Sequence, residues 1–424
     1  MASAIATTQP GWLTARRERA TALSEQLELP TYKGRPGWEF TDISALDLAA
    51  YAVAPDATGD AAATAAGAEA LFVGLEQPIV VTQVDATSVQ VDGDLPDGVT
   101  ITTLERAAAE QPELVEQHLG TIVSAQDAFV ARNDAAFAGG LFVHIRRGVV
   151  LERPVLVTAV QDADRSALAW RTLIVLEDGA EAEVWEQYLS AGEDRETLLN
   201  AVVELVVGDN AKLRFVNGQN LSEKSWIFGT QRAEVGRDGV LDWVSLGFGS
   251  ARGKVRSETK LAGPGADGRV TGAYASHKRQ HIDYDTTQEH AAPHTTSDLA
   301  FRGVLQGRSE AVWRGNIIVD PGAQQTDAFQ ESRNLLLSKR AHADAIPGLE
   351  IQANDVRCTH AAAIAQIDAD QLFYLRSRGL RDEVAKRLVI EGFLAELVER
   401  FEEGPVRTVL GGALERRLGL ILGD

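Results

Sequence analysis

The stretch DGAEAEV, Asp178–Val184, carries the pattern that decides the fold, a turn dipeptide followed by a strand-like alternation. Asp209–Phe215 repeats it, and further turn dipeptides stand at Asp238-Gly239 and Asp267-Gly268, so that successive aspartates lie 31, 29 and 29 residues apart. Every second residue after these turns is small or apolar, as in strands that turn one face toward a shared interior. The repeat predicts the stacked coils of a parallel β-helix. An antiparallel sandwich is the alternative, although its strands usually recur about every 8 to 12 residues.

Three regions are predicted around this repeat. Alternating runs, beginning with Leu141, Val143 and Ile145, predict a β-rich core domain over residues 126–367. Residues 1–125 are predicted to be mainly helical, and the small residues of Ala57–Gly67 are typical of a flexible connector. Local patterns in this first region predict an amphipathic helix over Thr14–Leu27, a short strand over Ser88–Val91 and helical stretches over Leu104–Asp127.

Residues 368–424 are predicted to form three helices, over Asp370–Arg378, Asp382–Phe401 and Val406–Ile421. The middle helix carries an apolar stripe with a spacing of four: Val389, Phe393, Leu397 and Phe401. Such a stripe needs a partner surface. Packing on the β core of the same chain is the common use of an amphipathic helix, and docking of another protein is the alternative.

Composition removes several classes of function. Acidic residues outnumber basic ones by 61 to 41, and the net charge of -20 gives a surface that repels nucleic-acid backbones and anionic membranes. Met1–Pro10 lacks the basic and apolar parts of a signal peptide, so the cytoplasm is the predicted compartment. Cys358 is the one cysteine of the chain, which excludes an internal disulfide and fits a reducing compartment.

The search for catalytic motifs is mostly negative. Gly263–Gly268 matches the dinucleotide fingerprint as a string, but it leads into the strand-like run Arg269–Tyr274 instead of a helix, so we interpret it as a turn. Gly253-Lys254 lacks the earlier glycine of a phosphate-binding loop, and Val255 stands where a magnesium-binding Ser or Thr would be. The chain therefore has no P-loop for ATP hydrolysis, and no Gly-x-Ser-x-Gly nucleophile elbow occurs either.

Two groups of residues could still form a functional site. Four histidines form two pairs at a spacing of four: His277, His281, His290 and His294. They could share a metal, or they could simply form hydrogen bonds at turns and subunit contacts. Cys358 and His360, two residues apart, would share one face of a strand. One thiolate cannot hold an iron–sulfur cluster, which needs about four soft ligands, and a lone cysteine is more often a small buried hydrophobe.

The C-terminal part of the chain closely resembles the signature of the SufB/SufD family of bacterial iron–sulfur cluster assembly proteins. The residues that carry this resemblance are Arg333–Lys339, Pro347–Ile351, Asn354–His360 and Gln371–Gly379. Upstream, the resemblance continues through Gln280–Asp283, His290–Pro293, Ser297, Trp313–Ile317, Asn133 and Ala136-Phe137. Leu29-Pro30, Lys33 and Trp38–Thr41 are similar to the short lead-in of the SufD branch, which favours SufD over the longer SufB.

A second difference favours the SufD branch. The cysteine that SufB uses for cluster assembly falls at Ala341 here in an ungapped alignment. His360 matches the SufD pattern, and the resemblance implies that it lies at the SufB–SufD contact and takes part in building the nascent cluster. There it would be a metal ligand shared with the partner, with Cys358 as the second residue of the site. The run Ala361–Ala363 departs from the Gly-Ala-Thr of many relatives.

The resemblance implies a mainly β fold, with an N-terminal helical region, a right-handed parallel β-helix core and C-terminal helices. It implies a non-catalytic scaffold that pairs with a SufB-like paralogue through the core and docks the ABC-type ATPase SufC through the C-terminal helices, and that forms a homodimer when isolated. The stripe from Val389 to Phe401 is then expected to be exposed. The chain alone would hold no cofactor stably, and a nascent cluster would be shared with SufB.

Two alternatives belong to other classes. A SufB-like scaffold that holds a cluster by itself would need coordinating thiols, and the chain has only Cys358. A β-helix enzyme acting on carbohydrates would need paired acids or a calcium site in a cleft, and such enzymes are commonly secreted.

Overall fold

The structure is a computed structural model, and it describes residues 9–33, 36–90 and 95–423. Its strands are β1 Ala52–Val53, β2 Ile79–Val84, β3 Thr87–Gln90, β4 Val99–Thr102, β5 Leu141–Ile145, β6 Val155–Gln161, β7 Ser166–Leu176, β8 Glu181–Ser190, β9 Leu198–Val207, β10 Lys212–Asn220, β11 Trp226–Val235, β12 Val240–Gly247, β13 Arg252–Leu261, β14 Asp267–Ser276, β15 His281–His290, β16 Thr296–Leu305, β17 Glu310–Val319, β18 Thr326–Leu336, β19 His342–Ile351 and β20 Val356–Gln366. Its helices are α1 Gly11–Gln26, α2 Ala61–Gly67, α3 Leu104–Glu110, α4 Pro112–His118, α5 Ala128–Ala136, α6 Ala369–Ser377, α7 Asp382–Val398 and α8 Pro405–Leu422.

The strands form two long sheets that the chain visits in turn. Sheet I has the order β19-β17-β15-β13-β11-β9-β7-β5-β4, with β1 beside β7, and sheet II has the order β20-β18-β16-β14-β12-β10-β8-β6-β2-β3. Neighbouring strands are parallel, except that β2–β3 and β4–β5 are antiparallel. One strand from each sheet makes a coil, and about eight coils stack from β5–β6 to β19–β20. The predicted mainly β chain with a parallel β-helix core and helices at both ends is confirmed.

Stacked turns explain the repeat that the sequence shows. Gly179 and Asn210 have positive φ angles of 68° and 56°, a conformation that glycine adopts freely and asparagine tolerates. The Gly179 N–H donates to Asp209 O at 2.8 Å, and the Asn210 N–H donates to Arg237 O at 2.8 Å, so each turn bonds to the turn of the next coil. The spacing of about 30 residues is therefore the length of one coil.

The fourth turn lies earlier than the sequence pattern predicts. Asp267-Gly268 is the start of β14, where it pairs with Val240 and Leu241 of β12, and the turn is made by Gly263–Ala266, with Gly265 at a φ of 76°. The dipeptide pattern misplaced this turn because Gly265 supplies the left-handed residue instead. The interpretation of this stretch as a turn that leads into a strand is confirmed for Gly263–Ala266, and the strand begins at Asp267, two residues before the predicted Arg269.

Large aromatic side chains fill the inside of the coils. Trp170, Trp243 and Trp313 are fully buried in the interior, and the rings of Phe215 and Trp243 meet edge to face with centroids 5.9 Å apart. Strand alternation sends these residues inward while charged neighbours face out. Truncating one such tryptophan to alanine would cost about 3 to 5 kcal/mol, because close-packed cores collapse only partly around a cavity.

Helices α1 and α5 are fastened to sheet I by a buried ion network. The Arg171 guanidinium is fully buried and contacts the carboxylates of Glu204 and Asp134, and Asp134 also accepts from Arg16 of α1 at 2.8 Å. Asn133 of α5 donates to the carbonyls of Trp170 and Asn200, at 2.7 and 2.9 Å. Removing one member would leave a buried charge without a partner, which typically costs about 3 to 5 kcal/mol.

Part of the N-terminal region differs from its prediction. Ala61–Gly67, expected to belong to a flexible connector, is helix α2. The Asp60 carboxylate caps it by accepting from the N–H groups of Ala62 and Ala63, and alanine has the strongest intrinsic helix propensity. Strands β2 and β3 extend sheet II, and β4 extends sheet I, so strands from residues 1–125 cover the first coil. Of the strand predicted over Ser88–Val91, Val91 lies outside the described residues.

Helices α7 and α8 cover the outer face of sheet II. Ile390, Leu394 and Leu410 pack against sheet residues that include Val244 and Val304. Two ion pairs hold the α7 region against β16 of sheet II: Arg400–Asp298 at 3.1 Å and Arg302–Glu396 at 3.0 Å. Among the helices of the described ranges, none has the length and apolar content that a membrane crossing requires.

Candidate functional site at the open end of the solenoid

The last coil, formed by β19 and β20, has no coil stacked upon it in the described part of the chain. Both strands end their sheets, so each presents an edge of unpaired backbone groups. Ile351 and Ile364 occupy inward positions, yet their exposed fractions are 43% and 45%. Side chains that every earlier coil buries are therefore uncovered here. Repeat proteins normally close such an end with a polar cap, so this surface is incomplete.

Cys358 lies on β20 and turns inward onto the preceding coil. It is opposite Ala328 of β18, and it packs with a small apolar cluster that includes Ile317, Leu349 and Val356. Partial burial raises the pKa of the Cys358 thiol, and the nearby carboxylate of Asp327 raises it further. Because the thiolate is the metal-binding form, this environment keeps Cys358 a weak ligand near neutral pH.

His360 shares the inward face of β20 but lies in the open. It follows Cys358 by two residues, and it is opposite Gln330 of β18. Its side chain is exposed, and no hydrogen bond joins it to any described residue. Both ring nitrogens are thus accessible to a ligand or a partner from outside. The structure places the two predicted site residues side by side on the uncovered coil.

Gln330 forms the floor beneath His360, and sequence reasoning missed it. Its side chain is fully buried, and its Nε2 donates to the carbonyls of Gly315 and Gly348 at 3.2 and 3.1 Å. The amide thus ties β17 and β19 to β18 under the histidine. Only the pairing register, with Gln330 opposite His360, reveals this relation. Alternation within Thr326–Leu336 could have marked the glutamine as inward-facing, which is unusual for a polar residue.

Three of the four histidines in the two predicted pairs have separate side-chain partners: His277, His281 and His290. The fourth, His294, has an exposed side chain that makes no hydrogen bond within the described ranges. His277 contacts the Glu223 carboxylate, and the Nε2 of His281 lies 3.1 Å from the Thr41 hydroxyl. His290 is fully buried between the hydroxyls of Thr295 and Ser297, and this burial lowers its pKa to about 4. No group of His, Cys, Asp or Glu side chains suited to a metal occurs within residues 9–33, 36–90 and 95–423. His277, His281 and His290 therefore serve hydrogen bonding at turns and between elements, each with its own partner.

The apolar stripe of α7 is not exposed as expected. Leu397 and Phe401 are only 3% and 4% exposed, and they belong to the core between α7, α8 and sheet II. Phe393 packs at the margin of the same core, and Val389 lines a groove against α6. The expectation of an exposed stripe is wrong, because the chain uses its amphipathic face to cover its own sheet.

Exposed apolar residues instead form what we call the α6–α7 patch: Phe373, Tyr374, Val384 and Leu388. Phe373 has an exposed fraction of 71%, which is unusual for such a large ring. The groove beside this patch has a volume of about 460 Å³ and is lined by residues of both helices, including Leu375 and Val389. Exposed apolar patches of this kind commonly mark contacts between proteins.

Comparison with known proteins gives a consistent result over nearly the whole chain. Residues 158–393 match the family model described as SUF system FeS cluster assembly, SufBD core domain, and residues 2–157 match the SufBD protein N-terminal region. The iron–sulfur cluster assembly protein SufD of Bacillus subtilis is 29% identical over 97% of this chain and 95% of its own length. A SufBD family protein of Mycobacterium tuberculosis is 30% identical over 76% of this chain and 80% of its own. One from Synechocystis is 26% identical over 93% and 89%.

Proposed function

Because this chain belongs to the SufBD family of iron–sulfur cluster assembly proteins, we propose that it acts as a non-catalytic scaffold subunit of an assembly complex. In this proposal the open end of the solenoid binds a SufB-like paralogue, and the C-terminal helices dock a SufC-type ATPase. The complex works in the cytoplasm, where a chain with a single cysteine stays reduced. The observation that carries the proposal is the uncovered last coil.

The chemistry of this coil fits a second β-helix. Two free strand edges offer backbone donors and acceptors along β19 and β20, and the inward side chains between them are mostly apolar. A partner with a similar open coil would continue both sheets and bury Ile351 and Ile364. A paralogue of the same fold is the natural occupant, since its strands match in spacing and direction.

In this proposal the nascent cluster forms at the contact between the two subunits. His360 would supply one imidazole ligand or proton acceptor from an exposed position, and Cys358 would contribute less because burial disfavours its thiolate. A cluster needs about four ligands, so most of them must come from the partner. The chain alone then holds no cofactor of its own, which agrees with the absence of other cysteines in the sequence.

The α6–α7 patch is the proposed docking surface for the ATPase. It faces away from the core that α7 and α8 share with sheet II, so a partner can bind it without disturbing the solenoid. Its aromatic residues, Phe373 and Tyr374, are of the kind that dominate binding energy at protein contacts. Since the sequence contains no P-loop, nucleotide hydrolysis must be supplied by another subunit.

Affinity purification from the native cell tests the paralogue contact. We expect the wild-type chain to retain a SufB-like paralogue and a SufC-type ATPase, and Ile364→Asp to lose the paralogue while it keeps the ATPase. A charge buried in an apolar contact without a partner costs several kcal/mol. Val73→Asp is the matched control, since Val73 is also an exposed aliphatic residue but lies far along the chain from the last coil. Retention of the paralogue by Ile364→Asp would refute the proposed surface.

A further inference from the structure

A cavity of about 340 Å³ lies between α8 and the turns that lead from sheet II to sheet I. Three such turns contribute to its wall, at Ser190–Glu193, Asn220–Glu223 and His277–Lys278. Gly67 and Glu69, at the end of α2, complete the lining together with residues of α8. Sites for small molecules usually begin at about 300 Å³, so this volume suits a metabolite rather than a macromolecule. The site is separate from the open end and from the α6–α7 patch.

Arg417 of α8 provides a buried positive charge in the cavity wall. Its side chain is only 5% exposed; Nε donates to Ala275 O at 3.0 Å, and Nη2 donates to Gln280 Oε1 at 2.9 Å. Both acceptors are neutral, and Arg417 makes no ion pair with any residue of the described ranges. Burial lowers its pKa to about 10, so it is still a cation at neutral pH. Nη1 has no hydrogen-bond partner among the described residues, which leaves a donor edge for a ligand.

The acidic groups around the cavity differ in their availability. Glu223 is already neutralised, since it contacts His277 and accepts from Lys278 Nζ at 2.9 Å, and the His277 contact is the main reason that its pKa falls to about 2. Glu69 has an exposed side chain with no ion pair within the described part of the chain. It acts on Arg417 electrostatically but lies beyond ion-pair distance. A cation and a free carboxylate thus face the same cavity with a gap between them.

We propose that this cavity binds a free α-amino acid, with its carboxylate on the guanidinium of Arg417 and its ammonium group near Glu69. A planar guanidinium recognises a carboxylate through paired N–H donors. The carboxylates of Glu69 and Glu193 repel ligands that carry only negative charge, such as polyphosphates, and favour a zwitterion. The gap between Arg417 and Glu69 leaves space for the ligand.

Binding is tested on the purified full-length chain with each standard L-α-amino acid, added singly at millimolar concentration, followed by thermal unfolding and then calorimetric titration. We expect at least one amino acid to raise the midpoint of unfolding saturably. The deaminated and decarboxylated analogues of the best binder should each bind at least tenfold more weakly. Arg417→Gln should lose at least tenfold in affinity, and Glu69→Gln at least threefold.

Arg407→Gln is the control and should leave affinity unchanged, because Arg407 lies on the same helix but does not line the cavity. Glu69 is exposed, so Glu69→Gln keeps the test valid if Arg417→Gln fails to fold. The proposal is overturned if no amino acid binds saturably, if affinity survives Glu69→Gln, or if affinity survives in a folded Arg417→Gln. Inorganic phosphate binding as tightly as the best amino acid would also overturn it, since the cavity would then be a simple anion site.

Discussion

Substitution of His360 can distinguish a role in cluster assembly from a role in folding. Its side chain is exposed and makes no hydrogen bond within the described ranges, so His360→Ala should change the free energy of unfolding by less than about 0.5 kcal/mol. We expect the same variant to keep complex formation and to lower cluster assembly in cells sharply. Chemical denaturation and an in-cell reporter of cluster supply, measured on the same variant, check both expectations.

Cys358→Ser is the matched variant. It should lower stability more than His360→Ala does, and cluster assembly less. The half-buried thiol packs in an apolar cluster, so the hydroxyl should cost about 1 kcal/mol or more of stability, with a smaller effect on assembly than His360→Ala. If His360→Ala supports full assembly, or fails only through unfolding, the proposed role of the histidine is wrong.

Glu186 should make stability depend on pH. This carboxyl is fully buried inside the solenoid, where it accepts from Thr172 and Tyr188, and burial raises its pKa from 4.5 to about 7. Between these values the unfolded chain has lost the proton while the folded chain still holds it. The free energy of unfolding therefore falls as pH rises through this window, by up to about 3 kcal/mol, and falls no further above it.

Urea unfolding of Glu186→Gln at pH 5 and pH 7.5 measures this contribution, since glutamine does not ionise. We expect the wild type to lose more stability than the variant between these two pH values. Glu181→Gln, on the same strand but at its partly exposed start, should retain the wild-type dependence. Equal pH dependence in the wild type and in Glu186→Gln would show that the carboxyl does not titrate in this window.

The C-terminal helices present one face to the solenoid and another to solvent, and two variants should distinguish these faces. Leu397→Ala opens the buried core and should cost about 2 to 5 kcal/mol of stability. Phe373→Asp changes a residue that is 71% exposed, so we expect a change within about 0.5 kcal/mol and a loss of ATPase binding of at least tenfold. Denaturation and a pull-down with the purified ATPase measure the two effects. Normal ATPase binding by Phe373→Asp would count against the α6–α7 patch.

Local sequence patterns predicted those elements whose structure depends on turn residues and on the spacing of apolar residues. The coils were predictable because left-handed turn residues and alternation recur with each coil, as at Gly179 and Asn210. Helix α2 was not predicted, because a run of small residues fits a linker as well as a helix and only the Asp60 cap favours the helix. The stripe of α7 was identified correctly as an apolar face, but periodicity does not say which surface covers it.

The site was predictable only in part, for a related reason. Cys358 and His360 could be found because their spacing places them on one face of a strand. Gln330 lies 30 positions earlier in the sequence, and it comes beneath His360 only through the register of β18 and β20. The exposure of the last coil likewise depends on which strands end the two sheets, and no local sequence pattern predicts that.

At the scale of the whole molecule, the proposed function assigns nucleotide hydrolysis and most of the cluster ligands to partner subunits. It has no P-loop and one cysteine, so the purified chain should neither hydrolyse ATP nor retain a reconstituted cluster. Magnesium-dependent phosphate release and the visible absorbance of iron–sulfur clusters, after gel filtration, measure these properties. Activity that co-elutes with the pure chain, and that persists in independent preparations, would contradict the scaffold proposal.

The open end should also govern how the isolated chain associates. Without a paralogue, the free edges of β19 and β20 and the uncovered Ile351 and Ile364 have no other partner than a second copy, so we expect a homodimer. Ile364→Asp should weaken this dimer at least tenfold, since each copy would bury an unpaired charge. Sedimentation velocity over a concentration series measures the dissociation constant, with Val73→Asp as control.

Competition then shows whether one surface serves both partners. Adding the SufB-like paralogue should dissolve the homodimer and replace it with a heterodimer, because two occupants cannot extend the same strand edges. The added paralogue should leave the affinity for the ATPase unchanged, since the α6–α7 patch lies outside the last coil. A ternary species in which the homodimer persists beside bound paralogue would mean that the paralogue binds elsewhere, and the open end would then be a surface for self-association alone.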